Sequence, residues 1–184
     1  MKRRFDFIMS LCLLIVLSVP MLIVALLVKL TSRGPALYWS DRVGKNNVIF
    51  KMPKFRTMRI DAPVVATHLL SHPDAYVTPI GHFLRRSSLD ELPQLVNVLR
   101  GEMSMVGPRP IVEEEVPKYG PAFSLYSQVS PGLTGLWQVS GRNDTSYRRR
   151  TDLDSKYIQE WTIRMDLLVL WKTVRVVLFG HGAY

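Results

Sequence analysis

The feature that most constrains this chain is an uninterrupted apolar run near its N-terminus. Residues 7–28, FIMSLCLLIVLSVPMLIVALLV, contain no charged side chain. A helix of that length can cross a hydrocarbon core of about 30 Å. A cleaved signal peptide fits poorly, because the run is longer than the usual apolar region of a signal peptide and no small-residue cleavage motif follows it. We therefore expect this segment to insert into a membrane.

The middle of the run contains a helix breaker. Pro20 has no backbone N–H and crowds the preceding turn, so the sequence predicts a break at Ser18 to Pro20. Cationic residues flank the run on both sides: Lys2, Arg3, Arg4, Lys29, Arg33, Arg42 and Lys45. Because positive flanks favour the cytoplasmic side, both ends are expected on one face of the membrane. A re-entrant helix-break-helix meets both conditions, although a plain spanning helix stays open.

Charge and cysteine content limit the functions that need to be considered. The 184 residues carry a net charge of +9, and the sequence pI is about 9.9. This charge points to an anionic partner such as nucleic acid, phospholipid or a phosphorylated substrate. The single cysteine, Cys12, lies in the apolar run. An intramolecular disulfide and a cysteine-based zinc site are therefore excluded.

The remainder of the chain is expected to be a small globular body of the α+β class, mainly helical. Glycine-bearing turns and β-prone residues predict a hairpin-like element around residues 36–39 and 48–50. Helical spacing and stop signals predict three short helices, at residues 80–86, 94–100 and 111–119, and Gly101 is expected to end the second.

The C-terminal part returns to helical spacing. From Thr145 onward, basic residues alternate with Trp, Tyr, Leu and Val, and no uncharged stretch is long enough to span a membrane. This pattern predicts an amphipathic helix at the membrane interface or against the core. The predicted organisation is a membrane helix at residues 1–30 and a cytoplasmic, membrane-associated domain at residues 31–184.

Several familiar sites are absent or weakly supported. No Walker loop, G-x-G-x-x-G or G-x-S-x-G element occurs, which disfavours a P-loop NTPase, a dinucleotide-binding fold and an α/β-hydrolase. His68 and His72 have an i, i+4 spacing that suits a metal, but no third ligand is evident nearby. The run YRRR at residues 147–150 is explained by a basic patch that faces lipid, because no nucleic-acid-reading module accompanies it. No nucleic-acid partner is therefore expected.

An acidic pair, Asp90 and Glu91, precedes a short apolar run. Ser88 and Glu91 have the S-x-x-E spacing of a capping box, and Pro93 suits a first helical turn. One interpretation is therefore that the pair only starts a helix. The other is chemical, because an aspartate can act as the nucleophile of a phosphoryl transfer by forming an acyl phosphate.

Nearby cations favour the chemical interpretation. A carboxylate at a helix N-terminus is expected to stay ionised at neutral pH, and Glu91 could hold a Mg²⁺ that bridges substrate phosphate oxygens. Arg85 and Arg86 supply positive charge close by in the sequence. Arg109 lies between two prolines that restrict the backbone and pre-position a planar guanidinium suited to phosphate.

Longer motifs give a family resemblance. KRRFD precedes the apolar run, LTSRGPALYWSDRVGKN and KFRTM follow it, RRSSLDELPQLVNVLRGEMSMVGPRP occupies the centre, and PGLTGLWQVSGRN and LLVLWKTVRVVLFGHGAY lie toward the C-terminus. Together these motifs resemble the bacterial sugar transferases, the monotopic phosphoglycosyl transferases, over nearly the whole chain. The resemblance implies transfer of a sugar 1-phosphate from a UDP-sugar to undecaprenyl phosphate, with release of UMP. This reaction initiates synthesis of a glycoconjugate such as exopolysaccharide, O-antigen or capsule.

The resemblance also implies roles for individual residues. It makes Asp90 the covalent nucleophile, Glu91 the Mg²⁺ ligand and Arg109 a residue that binds the nucleotide sugar. Further candidate substrate-binding residues are Lys54, Arg56, Arg85, Arg86 and Arg142. The break in the membrane helix corresponds to Ser18 and Pro20, and the implied location is the cytoplasmic face of the bacterial inner membrane.

Departures from the family pattern leave some properties open. Pro53 stands where members commonly have an aromatic residue before KFR, so a different local backbone is expected there. Larger relatives carry further N-terminal helices and a soluble domain, and this chain is expected to be the catalytic unit alone. The C-terminal motifs favour a hexose donor, UDP-galactose or UDP-glucose. A homodimer is one oligomeric state that the sequence leaves open.

Two other functional classes stay open at this stage. A membrane-associated phosphatase or lipid hydrolase could use the same aspartate as its nucleophile. A non-catalytic basic scaffold could instead cluster anionic lipids through its positive charge. Release of UMP that requires both a UDP-sugar and Asp90 would separate the transferase from both classes.

Overall fold

The apolar N-terminal run folds as two helices. The computed structural model describes residues 1–62, 73–141 and 146–179. Helix α1 spans Lys2–Val16, helix α2 spans Ser18–Thr31, and the pair is bent by 61° at Leu17 between them. Among the described helices none is by itself long and apolar enough to cross a membrane, whereas the bent pair meets that test jointly, by length and composition. The predicted helix-break-helix is confirmed as a bent pair.

The position of the break follows from Pro20. Because Pro20 lacks an N–H, the carbonyl four residues earlier, that of Val16, cannot receive its helical hydrogen bond, and the proline ring crowds the same turn. Helix α1 accordingly ends at Val16. The Ser18 hydroxyl donates to the Ile15 carbonyl at 2.8 Å, which satisfies one of the carbonyls at the helix end. The break therefore lies at Leu17, one residue before the predicted Ser18 to Pro20 segment.

A hairpin follows the helix pair, as predicted. Strand β1 (Leu37–Val43) pairs antiparallel with β2 (Ile49–Phe55), with Tyr38 opposite Lys54. Pro53 lies inside β2 opposite a tryptophan, and the register continues on both sides of it. Strand pairing therefore accommodates Pro53, and the expected difference from the backbone of the family that the sequence resembles stays a prediction.

The centre of the chain contains two short helices joined by a 3₁₀ helix. Helix α3 spans Pro79–Ser87, the 3₁₀ segment spans Leu89–Gln94, and α4 spans Leu95–Arg100. The proline suits the first turn of α3, and Gly101 ends α4 with a φ of 91°, a value that glycine adopts without strain. Both predicted helices are confirmed to within a residue or two.

The remaining elements complete a mainly helical α+β body. They are β3 Ser104–Val106, α5 Val116–Tyr119, α6 Phe123–Tyr126, β4 Gly132–Thr134, α7 Tyr147–Gln159 and α8 Ile163–Phe179. Strands β3 and β4 pair in parallel. The predicted C-terminal amphipathic helix is divided into α7 and α8.

The helix predicted for residues 111–119 is wrong over its first half. The backbone amide of Val43 donates to the Ile111 carbonyl at 2.9 Å, so Ile111 extends the hairpin and cannot begin a helix. A 3₁₀ turn follows at Glu113–Glu115, and the α-helical part begins only at Val116. A long-range backbone pairing has overridden the local helical pattern here.

Polar contacts fasten the N-terminus of α1 to the body. The buried Asp6 carboxylate accepts hydrogen bonds from the Ser104 hydroxyl at 2.9 Å and from the Met105 amide at 3.1 Å. The Arg3 guanidinium donates to two carbonyls in the last turn of α4, each at 2.6 Å. A cation at that helix end also interacts favourably with the helix dipole.

A second polar cluster joins α1 to α8. The Lys2 ammonium lies 2.6 Å from the carboxylate of Asp166, which is fully buried. The Tyr157 hydroxyl and the Trp161 indole N–H also donate to this carboxylate, at 2.6 and 3.0 Å. The first residues of α1 are thus held by side chains of the globular body and not by solvent.

Three apolar clusters organise the core, and one of them consists of Val43, Ile111, Tyr119 and Tyr126. The largest one joins the hairpin, α4, β3, α7 and α8 through buried side chains, namely Phe50, Met52, Leu95, Val98, Met103, Met105, Val106, Tyr157 and Val169. The remaining one packs α2 against β2 and α3 through Val24, Val28, Phe55 and Leu84. The bent pair of helices α1 and α2 is therefore an integral part of the body that carries the acidic pair.

Large apolar side chains remain exposed on α1, α2 and α8. On α2 and α8 they include Leu22, Leu26, Leu30, Leu167, Leu168, Trp171 and Val174. Exposed aliphatic and aromatic side chains in such number are typical of a protein that contacts lipid or another protein.

Candidate active site

The acidic pair lies in the 3₁₀ helix between α3 and α4. Ser88, which precedes this segment, has a φ of 57° and makes no side-chain capping bond, so the predicted capping box between Ser88 and Glu91 is wrong. A serine in the left-handed region is held there against its intrinsic preference, and such conformations concentrate at functional sites. The turn at Ser88 directs the chain so that Asp90 faces inward and Glu91 remains partly accessible.

The carboxyl group of Asp90 is almost completely buried, with 9 % of the residue exposed. The pKa of Asp90 is raised to about 6, mainly by burial and then by the neighbouring charge of Glu91, whereas Lys54 and Arg85 act in the opposite direction. Desolvation of the Asp90 carboxylate therefore affects its pKa more than the helix N-terminus does. Asp90 is nevertheless mostly ionised at neutral pH.

Lys54 completes the immediate surroundings of the acidic pair. Its ammonium lies 2.7 Å from a carboxylate oxygen of Glu91, and both side chains are about three-quarters buried. Lys54 lies on β2, whereas the acidic pair lies in the 3₁₀ helix, so two separate elements meet here. A partly buried cation next to two carboxylates provides the charge needed to admit a phosphate.

The other predicted cations around the pair divide into two groups. Arg85 is held by a 2.9 Å hydrogen bond from its Nε to the Thr57 hydroxyl and acts electrostatically on Asp90. Arg86 occupies the next position of α3 and is exposed. Arg56 donates to the carbonyls of Ser32 and Arg33. Those carbonyls lie at the end of α2, so Arg56 joins α2 to the hairpin.

Arg109 lies in a second cluster. Its guanidinium is 5.5 Å from the centre of the Trp137 ring, and the guanidinium of Arg150 is 4.7 Å from the same ring. Both distances are those of cation–π contacts. The position of Arg150 corrects the membrane-facing interpretation of the YRRR run, because this arginine packs inside the body, whereas Arg148 and Arg149 are exposed.

Arg42 connects the second cluster to the hairpin. Its guanidinium donates to the Pro110 carbonyl at 3.2 Å and so fixes the loop that carries Arg109. Burial lowers the pKa of Arg42, and the nearby positive charge of Arg109 lowers it further. Two guanidinium groups held close to one another favour an anion between or beside them.

A buried carboxylate lies beneath this cluster. Asp154 accepts a 2.7 Å hydrogen bond from the Tyr119 hydroxyl. The pKa of Asp154 is raised to about 7 by burial, although the Tyr119 hydroxyl, the backbone amide of Arg109 and the charges of Arg109 and Arg150 all act in the opposite direction. In its ionised form Asp154 supplies a negative charge that interacts with Arg109 and Arg150.

Sequence reasoning did not assign Arg42, Trp137, Arg150 or Asp154 to the site. The first two lie inside motifs that supported the family resemblance, SDRVGKN and GLWQVSGRN, but neither motif shows which of its residues face one another. Arg142 lies outside the described residues, as do His68 and His72. In the part of the chain that the structure describes, no three histidine, cysteine or acidic residues are grouped to hold a metal by themselves.

Comparison with known proteins identifies a family. The model of the family described as bacterial sugar transferase matches residues 1–180. The exopolysaccharide production protein ExoY of Sinorhizobium fredii is 44 % identical, in an alignment that covers 100 % of this chain and 88 % of the relative.

Two further relatives are longer than this chain. The undecaprenyl-phosphate galactose phosphotransferase of Salmonella typhimurium is 42 % identical, and the undecaprenyl-phosphate glucose phosphotransferase of Komagataeibacter xylinus is 40 % identical. Both alignments cover 100 % of this chain but only 42 % and 37 % of the respective relatives. The chain therefore spans less than half the length of these two proteins.

Replacement of Asp90 by Asn should stabilise the protein near neutral pH. The folded state raises the pKa of Asp90 from 3.8 to about 6, so ionisation destabilises the fold; this penalty is absent well below pH 3.8 and complete above pH 6. The shift corresponds to at most about 3 kcal/mol, or several degrees in Tm. We expect a clear rise in Tm for Asp90→Asn at pH 7.5 and a much smaller one at pH 4.5.

Thermal unfolding of the full chain in detergent at both pH values provides the measurement. Asp152→Asn, at an exposed position of α7, is the matched control and should change Tm little at either pH. A gain for Asp90→Asn that is equal at the two pH values, or a loss at pH 7.5, would contradict the assignment.

Proposed function

Because the chain belongs to the bacterial sugar transferase family, we propose that it transfers a sugar 1-phosphate from a UDP-sugar to undecaprenyl phosphate and thereby initiates exopolysaccharide synthesis. The observation that carries the proposal is the buried carboxylate of Asp90 with two cations beside it, Lys54 and Arg85. The reaction exchanges one phosphoanhydride for another, so it needs positioning and charge neutralisation more than driving force.

The donor is a hexose carried by UDP, either galactose or glucose. Support comes from the names of two relatives that align with the whole of this chain, one a galactose and the other a glucose phosphotransferase. Identities of 42 % and 40 % do not favour one over the other. Both donors therefore belong in every assay.

The first half-reaction is carried out by Asp90. A carboxylate oxygen attacks the β-phosphorus of the UDP-sugar, and the bond from that phosphorus to the bridging oxygen breaks, so that UMP leaves with the oxygen. The product on the protein is an acyl phosphate that carries the sugar. In the second half-reaction an oxygen of undecaprenyl phosphate attacks the same phosphorus and displaces the Asp90 carboxylate unchanged.

The surroundings of Asp90 suit both halves of this reaction. A carboxylate with a pKa of about 6 is a stronger base than an exposed aspartate and is still mostly ionised at neutral pH. Lys54 and Arg85 offset the negative charge that accumulates when the diphosphate approaches. Arg109 and Arg42 bind the departing nucleotide through its phosphate, as paired guanidinium groups do.

Glu91 and Asp90 are the residues that would hold a Mg²⁺. Two adjacent carboxylates, completed by substrate phosphate oxygens, form the donor set that Mg²⁺ usually takes in phosphoryl-transfer sites. The structure fits this group, because the charge of Glu91 raises the pKa of Asp90 and a cation would relieve that repulsion. Bound Mg²⁺ supplies charge neutralisation at the diphosphate.

The helix pair α1 and α2 is proposed to enter and leave one leaflet of the membrane. Lys2, Arg3 and Asp6 all bind groups of the globular body, so the N-terminus and the body are on the same side. A helix that crossed the bilayer would separate these partners. The positive flanks of the apolar run favour the cytoplasmic side, where UDP-sugars are found.

Incubation with a UDP-sugar in the absence of lipid acceptor should label the protein. Because Asp90 forms a covalent bond to the phosphosugar, radiolabelled UDP-galactose or UDP-glucose should release about one equivalent of UMP and leave the sugar on the chain. The rate should fall as the pH drops through about 6, since only the ionised carboxylate attacks.

Asp90→Asn should not label, whereas Asp152→Asn, which changes an exposed aspartate of α7, should label like the wild type. Equal labelling of Asp90→Asn would refute the covalent role. Release of UMP by the wild type only when the acceptor is present, with no labelled protein, would refute the two-step order.

Replacement of Glu91 by Gln should raise the Mg²⁺ concentration needed for half-maximal UMP release by about tenfold or more, because one of two carboxylate ligands is lost. Lys54→Met is the matched control, since it breaks the same ion pair and keeps both carboxylates. Its Mg²⁺ midpoint should stay near that of the wild type even where its rate falls. An unchanged midpoint for Glu91→Gln would exclude Glu91 as a ligand.

Thiol labelling can locate the N-terminus. In a Cys12→Ser background, Arg4→Cys introduces a thiol at an exposed position of α1, and Lys118→Cys introduces one on the body. A membrane-impermeant maleimide should label both variants only after the cells are permeabilised. Labelling of Arg4→Cys on intact cells, with Lys118→Cys still protected, would establish a spanning helix and overturn the re-entrant arrangement.

A further inference from the structure

Three buried polar atoms without hydrogen-bond partners surround one small cavity beside α7. They are Trp137 Nε1, Arg150 Nε and Asp154 Oδ1, three of the seven such atoms in the described part of the chain. Asp154 is 1 % exposed and Trp137 3 % exposed. The cavity is also lined by Arg109, Glu115 and Tyr119.

These unpaired atoms are unfavourable for the protein alone. Each buried donor or acceptor that lacks a partner costs about 1–3 kcal/mol. Tyr119 satisfies only one of the two carboxylate oxygens of Asp154, and the Trp137 ring contacts Arg150 through its π face, which leaves the indole N–H unused. Unpaired groups concentrated at one place indicate a missing partner.

We propose that this cavity binds the uracil ring of the UDP-sugar, with Asp154 Oδ1 accepting the N3–H of the base and Trp137 Nε1 donating to an adjacent ring carbonyl. The proposal rests on the proposed function, because it names the part of that donor which the second cluster recognises. It assigns specificity for uridine to Asp154.

The hydrogen-bonding edge of uracil matches the unpaired atoms. That edge presents a carbonyl, an N–H and a second carbonyl, so it needs at least one acceptor and one donor from the protein. Cytosine has an unprotonated N3, which would face the Asp154 carboxylate oxygen with no hydrogen between them. A site built on Asp154 therefore prefers uridine to cytidine, because a mismatched edge leaves buried polar groups unpaired.

The distance between the two clusters fits one nucleotide. Lys54 lies beside the acidic pair, and Phe50 lies opposite Arg42 in the hairpin. Lys54 and Phe50 are four residues apart on the same face of β2, so they are separated by about 13 Å along the strand. Arg42 contacts the Arg109 loop, and Arg109 contacts Trp137. An extended nucleoside diphosphate is comparable in length, so its β-phosphate can lie at Asp90 while its base reaches Trp137.

Entry of the base requires Arg150 to move. The cavity measures only about 10 Å³, about the volume that one water needs. The guanidinium of Arg150 lies 4.7 Å from the centre of the Trp137 ring. This cation–π contact is weak enough for a bound base to displace the guanidinium. The displaced guanidinium can then contact the phosphates, where Arg109 and Arg42 already lie.

The test compares UMP with CMP as ligands of the full chain in nanodiscs at pH 8, where Asp154 is mostly ionised. The wild type should bind UMP at least tenfold more tightly than CMP. In Asp154→Leu this ratio should fall to about one, because the acceptor for N3–H is lost while the phosphate contacts remain. A purely structural role of Asp154 would weaken both ligands equally and leave the ratio unchanged.

Tyr119→Phe is the matched control, because it removes the other hydrogen bond of the same buried carboxylate and keeps Oδ1. Its UMP-to-CMP ratio should stay near that of the wild type. Where Asp154→Leu does not fold, Trp137→Phe replaces it: the ring is kept and the indole N–H is lost, so UMP binding should weaken about tenfold.

The outcomes separate this inference from the proposed function. If the wild type releases UMP from UDP-sugars, two results would overturn the uracil site and leave the proposed function standing. One is a UMP-to-CMP affinity ratio that Asp154→Leu leaves unchanged, and the other is a UMP affinity that Trp137→Phe leaves unchanged. A wild type that binds neither nucleotide and releases no UMP from either UDP-sugar overturns both.

Discussion

The burial of the Asp6 carboxylate is the interaction on which the arrangement of the chain depends. An ionised carboxylate cannot be buried without compensating donors, and here the donors are the Ser104 hydroxyl and the Met105 amide of β3. This fixes α1 against β3, the bend at Leu17 then brings α2 back, and α2 packs on Phe55 of the hairpin and Leu84 of α3. The 3₁₀ helix with the acidic pair is the next segment after α3, so its place follows from the same contact.

The elements that the sequence predicted well are those whose limits are set locally. Pro20 removes a specific helical hydrogen bond, and the helix ends where that bond would have been. Gly101 ends α4 because its φ of 91° suits glycine, and the turn-rich segment between β1 and β2 predicts the hairpin without knowledge of its partners. The importance of Asp90 was also accessible, although only through a long motif and not through its charge alone.

The elements that sequence reasoning missed depend on contacts between distant segments. Ile111 pairs with Val43, far away in the chain, and this pairing prevents the predicted helix from starting there. Arg42, Trp137 and Asp154 come from three separate segments, and no spacing rule connects them. Asp90 was expected to be ionised at neutral pH, and it mostly is, but its pKa is raised to about 6 by burial, which cannot be read from a local pattern.

Two cations near the end of β2 bind two different parts of the chain. Lys54 holds Glu91, and Arg56, two residues later, holds the carbonyls that end α2. The acidic pair and the exit of the apolar helices are therefore connected through a single short, extended segment and not through a flexible loop. When α2 lies in lipid, the fold fixes the distance of the two carboxylates from the lipid headgroups. A phosphate carried by a lipid then approaches the carboxylates at a fixed depth.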